Sequence, residues 1–117
     1  RHNACIHIDH FDELYLLMQI TRELEKKARV AIRVNMDTGI YPMWDRFGFN
    51  YENGEAWSAI NRIMLAENLD LIGLHRHIEN YIMATSAYAI AETKLANLVM
   101  AVNRKFDHWL RYIDLGG

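Results

Sequence analysis

Cysteine is nearly absent from this sequence, and long apolar runs and blocks of like charge are missing. Cys5 is the only cysteine, which excludes an internal disulfide, and its apolar neighbours indicate a buried thiol. Polar residues interrupt each apolar run well before the roughly 18–20 residues that span a bilayer. The 13 basic and 15 acidic residues are mixed along the chain, unlike those of a nucleic-acid-binding or lipid-binding surface. We therefore expect no membrane or nucleic-acid partner and a cytoplasmic location.

Segments rich in β-formers alternate with helical patterns along the 117 residues. The predicted strands are residues 4–8, 30–36, 69–78 and 110–115. The predicted helices run from an Asp9 N-cap to about residue 29, from an Asn53 cap over 55–67, and from a Thr85 cap to about 106. With 51% hydrophobic and 24% charged residues, the composition is that of an ordinary globular domain. The alternation predicts an α/β fold with a parallel sheet.

Four parallel strands and three helices suit either a doubly wound sheet or part of an eight-stranded (β/α) barrel, and the pattern alone does not choose between them. Both folds place their sites at the carboxyl ends of the strands. The polar residues expected there are Asp9, Asp37, His75, His77 and Asp114. The connection over residues 37–48 is longer than the usual length of about 4–6 residues, and long loops at strand ends are commonly functional.

His75 and His77 are two positions apart on a predicted strand, so their side chains share one face and Arg76 points to the other. Three interpretations compete for this pair. The imidazoles are two metal ligands, or one is an aromatic face for a flat cofactor and the other its support. The third interpretation is a pair of core histidines that neighbouring groups satisfy.

Two further clusters combine glycine with charge. Asp37-Thr38-Gly39 and Asp45-Arg46-Phe47-Gly48 lie in the long loop, where glycine permits close backbone approach and arginine supplies a fixed cation. In Asp114-Leu115-Gly116-Gly117 a strand runs into two glycines, whose amides can cradle a phosphate. In isolation, a solvated turn with a surface salt bridge explains the loop cluster better, and a plain turn explains the glycine pair at least as well.

Taken in order, these segments resemble the fold-type III pyridoxal-phosphate barrel family of diaminopimelate, ornithine and arginine decarboxylases and alanine racemase. Residues 73–78 resemble the decarboxylases' Gly-Leu-His-Cys-His-Ile-Gly-Ser strand, and 112–117 resemble the start of their Leu-Asp-Leu-Gly-Gly-Gly-Phe loop. Residues 46–49 stand in the place of Lys-Phe-Gly. Ile8-Asp9 with Glu13-Leu14 is similar to Val-Asp-Ser-x-x-Glu-Leu. The resemblance spans nearly the whole chain and implies about half of a TIM-type (β/α)8 barrel.

The resemblance implies that pyridoxal 5'-phosphate is the cofactor and assigns residues to it. His77 stacks on the pyridine ring and His75 supports it, while Gly116 and Gly117 begin the phosphate-binding loop that Asp114 precedes. Asn80 stands where the family has a serine or threonine that reaches the phosphate, and its amide can donate instead. Glu79 replaces a glycine, and this departure weakens the expected phosphate contacts nearby.

Residues 34–49 also resemble alanine racemase's Val-Asp-Thr-Gly-Met-x-Arg-Leu-Gly-Phe, with an insertion at 41–45. In racemases that arginine contacts the phenolic oxygen of the cofactor, and Arg46 is the matching residue here. The His-x-His strand and the double glycine favour a decarboxylase, of diaminopimelate decarboxylase type, over a racemase. Two alternatives outside the family are a metal-dependent hydrolase that uses His75, His77 and an aspartate, and a small α/β binding domain without enzymatic activity.

In this family the cofactor forms a Schiff base with a lysine on the first barrel strand, and an amino-acid substrate displaces that lysine. The four lysines here, Lys26, Lys27, Lys94 and Lys105, all fall on predicted helices. We therefore expect residues 1–117 to be an internal segment of a larger barrel enzyme, truncated at both ends, that holds part of the cofactor site and no catalytic residue. The parent enzyme is expected to be a homodimer.

Overall fold

A computed structural model of the chain describes residues 5–36, 48–76 and 84–114, the side chains of 84–88 excepted. The helices and strands follow in the order β1 (Cys5–Ile8), α1 (Phe11–Leu24), β2 (Ala28–Asn35), β3 (Phe49–Asn50), α2 (Glu55–Leu65), β4 (Leu69–His75), α3 (Ala84–Phe106) and β5 (Tyr112–Asp114). All strand pairings are parallel, and the sheet order is β1-β2-β4-β5 with β3 added beside β2. The predicted α/β class is confirmed.

The short strand β3 is absent from the predicted set. It pairs Phe49 with Val34 and Asn50 with Asn35, just beyond the point where β1 ends opposite Ile32. β3 therefore pairs with the part of the longer strand β2 that extends beyond β1. A strand of two residues is too short to show the alternation by which strands are recognised in a sequence. Burial of Phe49, which is 1% exposed, holds this strand in place.

Helix α1 is shorter at both ends than predicted. His10, not Asp9, is its N-cap, and the carboxylate of Glu13 accepts the amide hydrogens of both Asp9 and His10. At the other end Glu25 adopts a left-handed conformation with φ 53, and its amide and that of Lys26 bond back to the last turn. The chain then re-enters the sheet at Ala28, so the end predicted at about residue 29 is wrong.

The other predicted caps also shift. Gly54, with φ 89, is the N-cap of α2, and Asn53 acts one position earlier, where its side-chain oxygen accepts the amide hydrogen of Glu55. Thr85 lies inside α3, whose described part begins at Ala84. The strand predicted over 69–78 ends at His75 in the described residues, and the strand predicted over 110–115 narrows to Tyr112–Asp114.

One face of the sheet packs under the helices. The residues that share this face, Ile8, Ile32 and Leu74, are each at most 1% exposed, and they join a core that the helices complete with Leu14, Ile60, Ile63, Leu95 and Val102. The edge strands are covered less: Ile6 is 42% exposed and Ile113 is 37% exposed. On α1, Leu16, Ile20 and Leu24 form an exposed apolar stripe at intervals of four residues.

The opposite face, here called the polar face, carries Cys5, His7, Ala31, Arg33, Gly73, His75, Tyr112 and Asp114. Register places His7, Ala31, Gly73 and Tyr112 in one row across the sheet, and Arg33, His75 and Asp114 in the next row toward the carboxyl ends.

The sheet curves so that the polar face is concave. In a flat sheet, three strand spacings of about 4.8 Å would hold β1 and β5 some 14 Å apart. The hydroxyl of Tyr112 on β5 nevertheless lies 3.7 Å from Sγ of Cys5 on β1. The ring of Tyr112 crosses Gly73, where an added Cβ would lie 2.4 Å from a ring carbon. Burial of the hydroxyl, and then its contact with Cys5, raises the pKa of Tyr112 to about 12.

Replacing Gly73 with alanine should push the Tyr112 ring away from Cys5, because the new methyl group occupies the space of the ring. We expect a stability loss of about 1 kcal/mol, and a fall in the pKa of Tyr112 toward 10 as its hydroxyl enters water. NMR titration of labelled tyrosine in the purified protein, with the Tyr112→Phe variant assigning the signal, measures the shift. An unchanged pKa in Gly73→Ala would show that the ring does not depend on this glycine.

Candidate functional site

Charged and titratable side chains meet at the carboxyl end of the polar face. This carboxyl-end cluster consists of His7, Asp9, Arg33, His75 and Asp114. Parallel topology brings them together, because the carboxyl ends of β1, β2, β4 and β5 all meet at one edge. Arg33, His75 and Asp114 stand side by side in register, on three adjacent strands.

His75 is the centre of the cluster. Its Nε2 lies 3.2 Å from Nδ1 of His7, and the two ring centroids are 4.6 Å apart with a tilt of 54°. Burial lowers the pKa of His75 below its ordinary value, and His7 and Arg33 lower it further, while the carboxylates of Asp9 and Asp114 oppose the shift. His75 is therefore neutral at physiological pH, and Arg33 remains as a cation.

The end of the long loop closes one side of the cluster. The amide of Gly48 donates a hydrogen bond to the carbonyl of Asp9, at 3.0 Å. A Cβ on Gly48 would lie 2.9 Å from the Arg33 carbonyl oxygen and 3.0 Å from Cγ of Arg33. Phe49 then buries its ring edge-on against Phe11, at 4.8 Å between centroids. Gly48 thus lies against both the Asp9 carbonyl, just after β1, and Arg33 on β2.

The capping of α1 keeps Asp9 available to the cluster. A carboxylate at an N-cap accepts hydrogen bonds from the first amides of the helix. Here Glu13 accepts the hydrogen bonds of the Asp9 and His10 amides. The negative charge of Asp9 instead acts on His75, where it opposes the lowering of the pKa.

Two predicted site residues, His75 and Asp114, lie in the cluster as the sequence pattern indicated. His77, Asn80, Arg46, Gly116 and Gly117 lie outside the described residues. His7 and Arg33 are members that the sequence analysis missed. Arg33 gave a detectable signal, since it is the only charge within the strand predicted over 30–36. His7 gave a weaker one, because a lone histidine in a short strand is commonplace.

The four lysines lie away from the cluster. Lys26 and Lys27 are in the turn between α1 and β2, at the amino end of the sheet, so their predicted helical placement is wrong. Lys94 and Lys105 lie on α3, where they bond to Glu52 and Asn61, respectively. Within the described ranges, no group of three or more His, Cys, Asp or Glu side chains is arranged to hold a metal ion. No helix there is long and apolar enough to cross a bilayer.

Comparison with known proteins decides the family. The family model described as "Pyridoxal-dependent decarboxylase, pyridoxal binding domain" matches residues 1–117. The chain belongs to this family. Diaminopimelate decarboxylase of Aquifex aeolicus is 35% identical to it over 112 residues, covering 90% of the chain and 26% of that protein. The chain spans about a quarter of the length of the curated relatives it matches.

Solved structures give the same fold. A diaminopimelate decarboxylase from M. jannaschii, crystallised with L-lysine, matches 96% of the chain and 28% of its own length, with a TM-score of 0.77 at 23% identity. An alanine racemase from Clostridium difficile 630 in complex with cycloserine matches 96% of the chain and 34% of its own, with a TM-score of 0.65 at 18% identity. The fold is thus a segment of the barrel that these enzymes share, as predicted.

Alanine at position 48 should destabilise the fold, because it adds a Cβ against the Arg33 carbonyl at a backbone φ of +98. We expect a loss of about 2–3 kcal/mol, which combines backbone strain with a steric clash. Gly54→Ala is the matched control, since Gly54 also has positive φ (+89) but nothing lies within 4 Å of its added Cβ. Urea unfolding of the purified variants measures both losses, and equal losses would contradict the proposed contact with Arg33.

Proposed function

We propose that the chain is an internal segment of the pyridoxal-phosphate-binding barrel of an amino-acid decarboxylase, most similar to diaminopimelate decarboxylase. Membership in the pyridoxal-dependent decarboxylase family supports the reaction class. The carboxyl-end cluster on a concave sheet face supports the position of the site, because barrel enzymes act at that end. The exposed Ile6 and Ile113 on the two edge strands support further strands on both sides.

The residues of the cluster fit the cofactor. Pyridoxal phosphate is a flat ring with a phosphate and a phenolic oxygen, so its site needs a flat surface, hydrogen-bond donors and positive charge. Arg33 supplies a permanent cation with several donors, and the neutral imidazole of His75 supplies a flat ring and one donor or acceptor. Gly48, where a Cβ would collide with Arg33, keeps the rim of the site narrow. Tyr112 closes the floor one row below.

Bound pyridoxal phosphate supplies an electron sink for the pair of electrons that departing carbon dioxide leaves. The chain's own residues hold and orient it. Arg33 binds an anionic oxygen of the cofactor, His75 supports the flat ring, and Asp9 and Asp114 balance the charge of Arg33. The ring of Tyr112 excludes water from beneath the site, because it fills the space over Gly73.

The sites predicted outside the described residues complete this proposal. By the family resemblance, His77 would stack on the pyridine ring, and Asn80, Gly116 and Gly117 would bind the phosphate. Arg46 contacts the phenolic oxygen. The lysine that binds the cofactor covalently comes from the remainder of the enzyme, because all four lysines of the chain lie away from the cluster. The complete enzyme is a cytoplasmic homodimer that acts on a small amino acid.

Diaminopimelate is the substrate that the relatives favour, since the curated relatives that cover most of the chain are named diaminopimelate decarboxylases. The racemase alternative has weaker support, because its 18% identity carries the fold alone. The metal-dependent hydrolase and the non-enzymatic binding domain are disfavoured by the family to which the chain belongs.

The Arg33→Met variant of the complete enzyme tests the site. Loss of a charged hydrogen bond to the cofactor should raise its dissociation constant by about 10-fold to 100-fold. Arg29→Met is the matched control, because Arg29 lies on the same strand near its amino end. Absorbance titration with pyridoxal phosphate measures binding, and carbon dioxide release from meso-diaminopimelate measures activity.

Equal affinities in Arg33→Met and Arg29→Met would remove Arg33 from the cofactor site. Failure of the unaltered enzyme to bind pyridoxal phosphate would overturn the proposed function itself. Racemisation of alanine without carbon dioxide release would favour the racemase alternative. Carbon dioxide release from ornithine or arginine, but not from diaminopimelate, would keep the reaction class and change the substrate.

A further inference from the structure

The contact between His7 and His75 crosses a whole strand. His7 lies on β1 and His75 on β4, and β2 runs between them. Two strand spacings of about 4.8 Å separate their backbones in a flat sheet. Their ring nitrogens are nevertheless 3.2 Å apart, so both side chains lean toward each other over β2.

Small residues make this contact possible. Ala31 stands directly beside His7 in the register, and Gly73 follows it on β4. Ala31 is fully buried, and its methyl group leaves more room over β2 than a branched side chain would. The concave curvature of the sheet shortens the distance further. The row thus has two large side chains at its ends, His7 and Tyr112, and two small ones between them.

We propose that His7 is a positioning residue of the cofactor site, whose imidazole holds the ring of His75 through a hydrogen bond across β2. This inference rests on the proposed function, because it takes the carboxyl-end cluster as part of that site. A neutral imidazole has one donor and one acceptor nitrogen, so Nδ1 of His7 and Nε2 of His75 must be in complementary protonation states. The bond therefore links the tautomers of the two rings and restrains the orientation of His75.

The charges around the pair agree with this role. Arg33 flanks His75 on one neighbouring strand and Asp114 on the other, and Asp9 follows β1 at the same edge. A second proton on the pair would place two donors face to face beside the Arg33 guanidinium. Burial, His7 and Arg33 accordingly lower the pKa of His75, against the two carboxylates. The pair thus carries at most one charge and leaves Arg33 as the cation that meets the cofactor.

The experiment compares His7→Leu with His7→Asn in the complete enzyme. Leucine fills the space without a hydrogen bond, whereas the Nδ2 and Oδ1 atoms of asparagine stand near Nδ1 of histidine and restore a donor or an acceptor. His108→Asn is the control, because His108 bonds to the Leu71 carbonyl in the lower half of β4, away from the cluster. The readouts are the rate of pyridoxal phosphate release and the ¹⁵N NMR titration of His75.

We expect His7→Leu to release the cofactor about 3-fold to 10-fold faster, the range for a lost hydrogen bond. We also expect the pKa of His75 to rise in this variant, because one of the groups that lower it is gone. His7→Asn should release the cofactor at close to the original rate, and His108→Asn should leave both readouts unchanged.

Unchanged release and titration in His7→Leu would overturn the inference. Release from His7→Asn as fast as from His7→Leu would also overturn it, because the hydrogen bond would then have no role. If the unaltered enzyme does not bind pyridoxal phosphate, the proposed function fails, and the titration of His75 in the cofactor-free protein still decides whether His7 holds it.

Discussion

The contact of the Tyr112 ring with Gly73 and Cys5 constrains the whole sheet. It requires β5 and β1 to curl toward each other, since their side chains would not meet across a flat four-strand ladder. Curvature makes one face concave and the other convex. The helices cover the convex face, where Ile8, Ile32 and Leu74 are buried, and the concave face is left for polar side chains. Without a glycine at position 73, the ring could not lie across β4.

The chemistry of the site follows from that curvature together with parallel strand order. Parallel order places the carboxyl ends of β1, β2, β4 and β5 at one edge, and curvature brings side chains from strands that are not neighbours into contact. His7 and His75 meet for this reason. Burial keeps His75 neutral, while Arg33 keeps its positive charge. The cluster therefore combines an uncharged ring with a cation. The proposed cofactor, which is flat and anionic, fits this combination of a neutral ring and a cation.

Much of the fold could be predicted from the sequence. The alternating periods located the longer strands and all three helices, since each buries a regular apolar stripe. The errors lie at positions where a single residue determines where a helix ends or whether a strand forms. The left-handed Glu25 ends α1 early, and His10 is the N-cap in place of Asp9. The two-residue strand β3 depends on tertiary burial of Phe49, which no local pattern reveals.

The site was predictable only in part. His75 and Asp114 were identified because they belong to motifs that resemble a family's motifs. His7 was missed, because its contact with His75 depends on the curvature of the sheet over the strand between them. Arg33 was missed although it is the only charge within the strand predicted over 30–36, since it belongs to none of the motifs that resemble the family's. Contacts between distant strands are therefore what the structure adds to the sequence.

The most direct test of the cofactor site is a crystal structure of the complete protein with pyridoxal phosphate bound. The expected result is a cofactor on the concave polar face, with an anionic oxygen within hydrogen-bonding distance of Arg33 and its ring beside the strand that carries His75. A cofactor bound away from this face, with Arg33 and His75 both out of contact, would contradict the assignment of the carboxyl-end cluster to the cofactor.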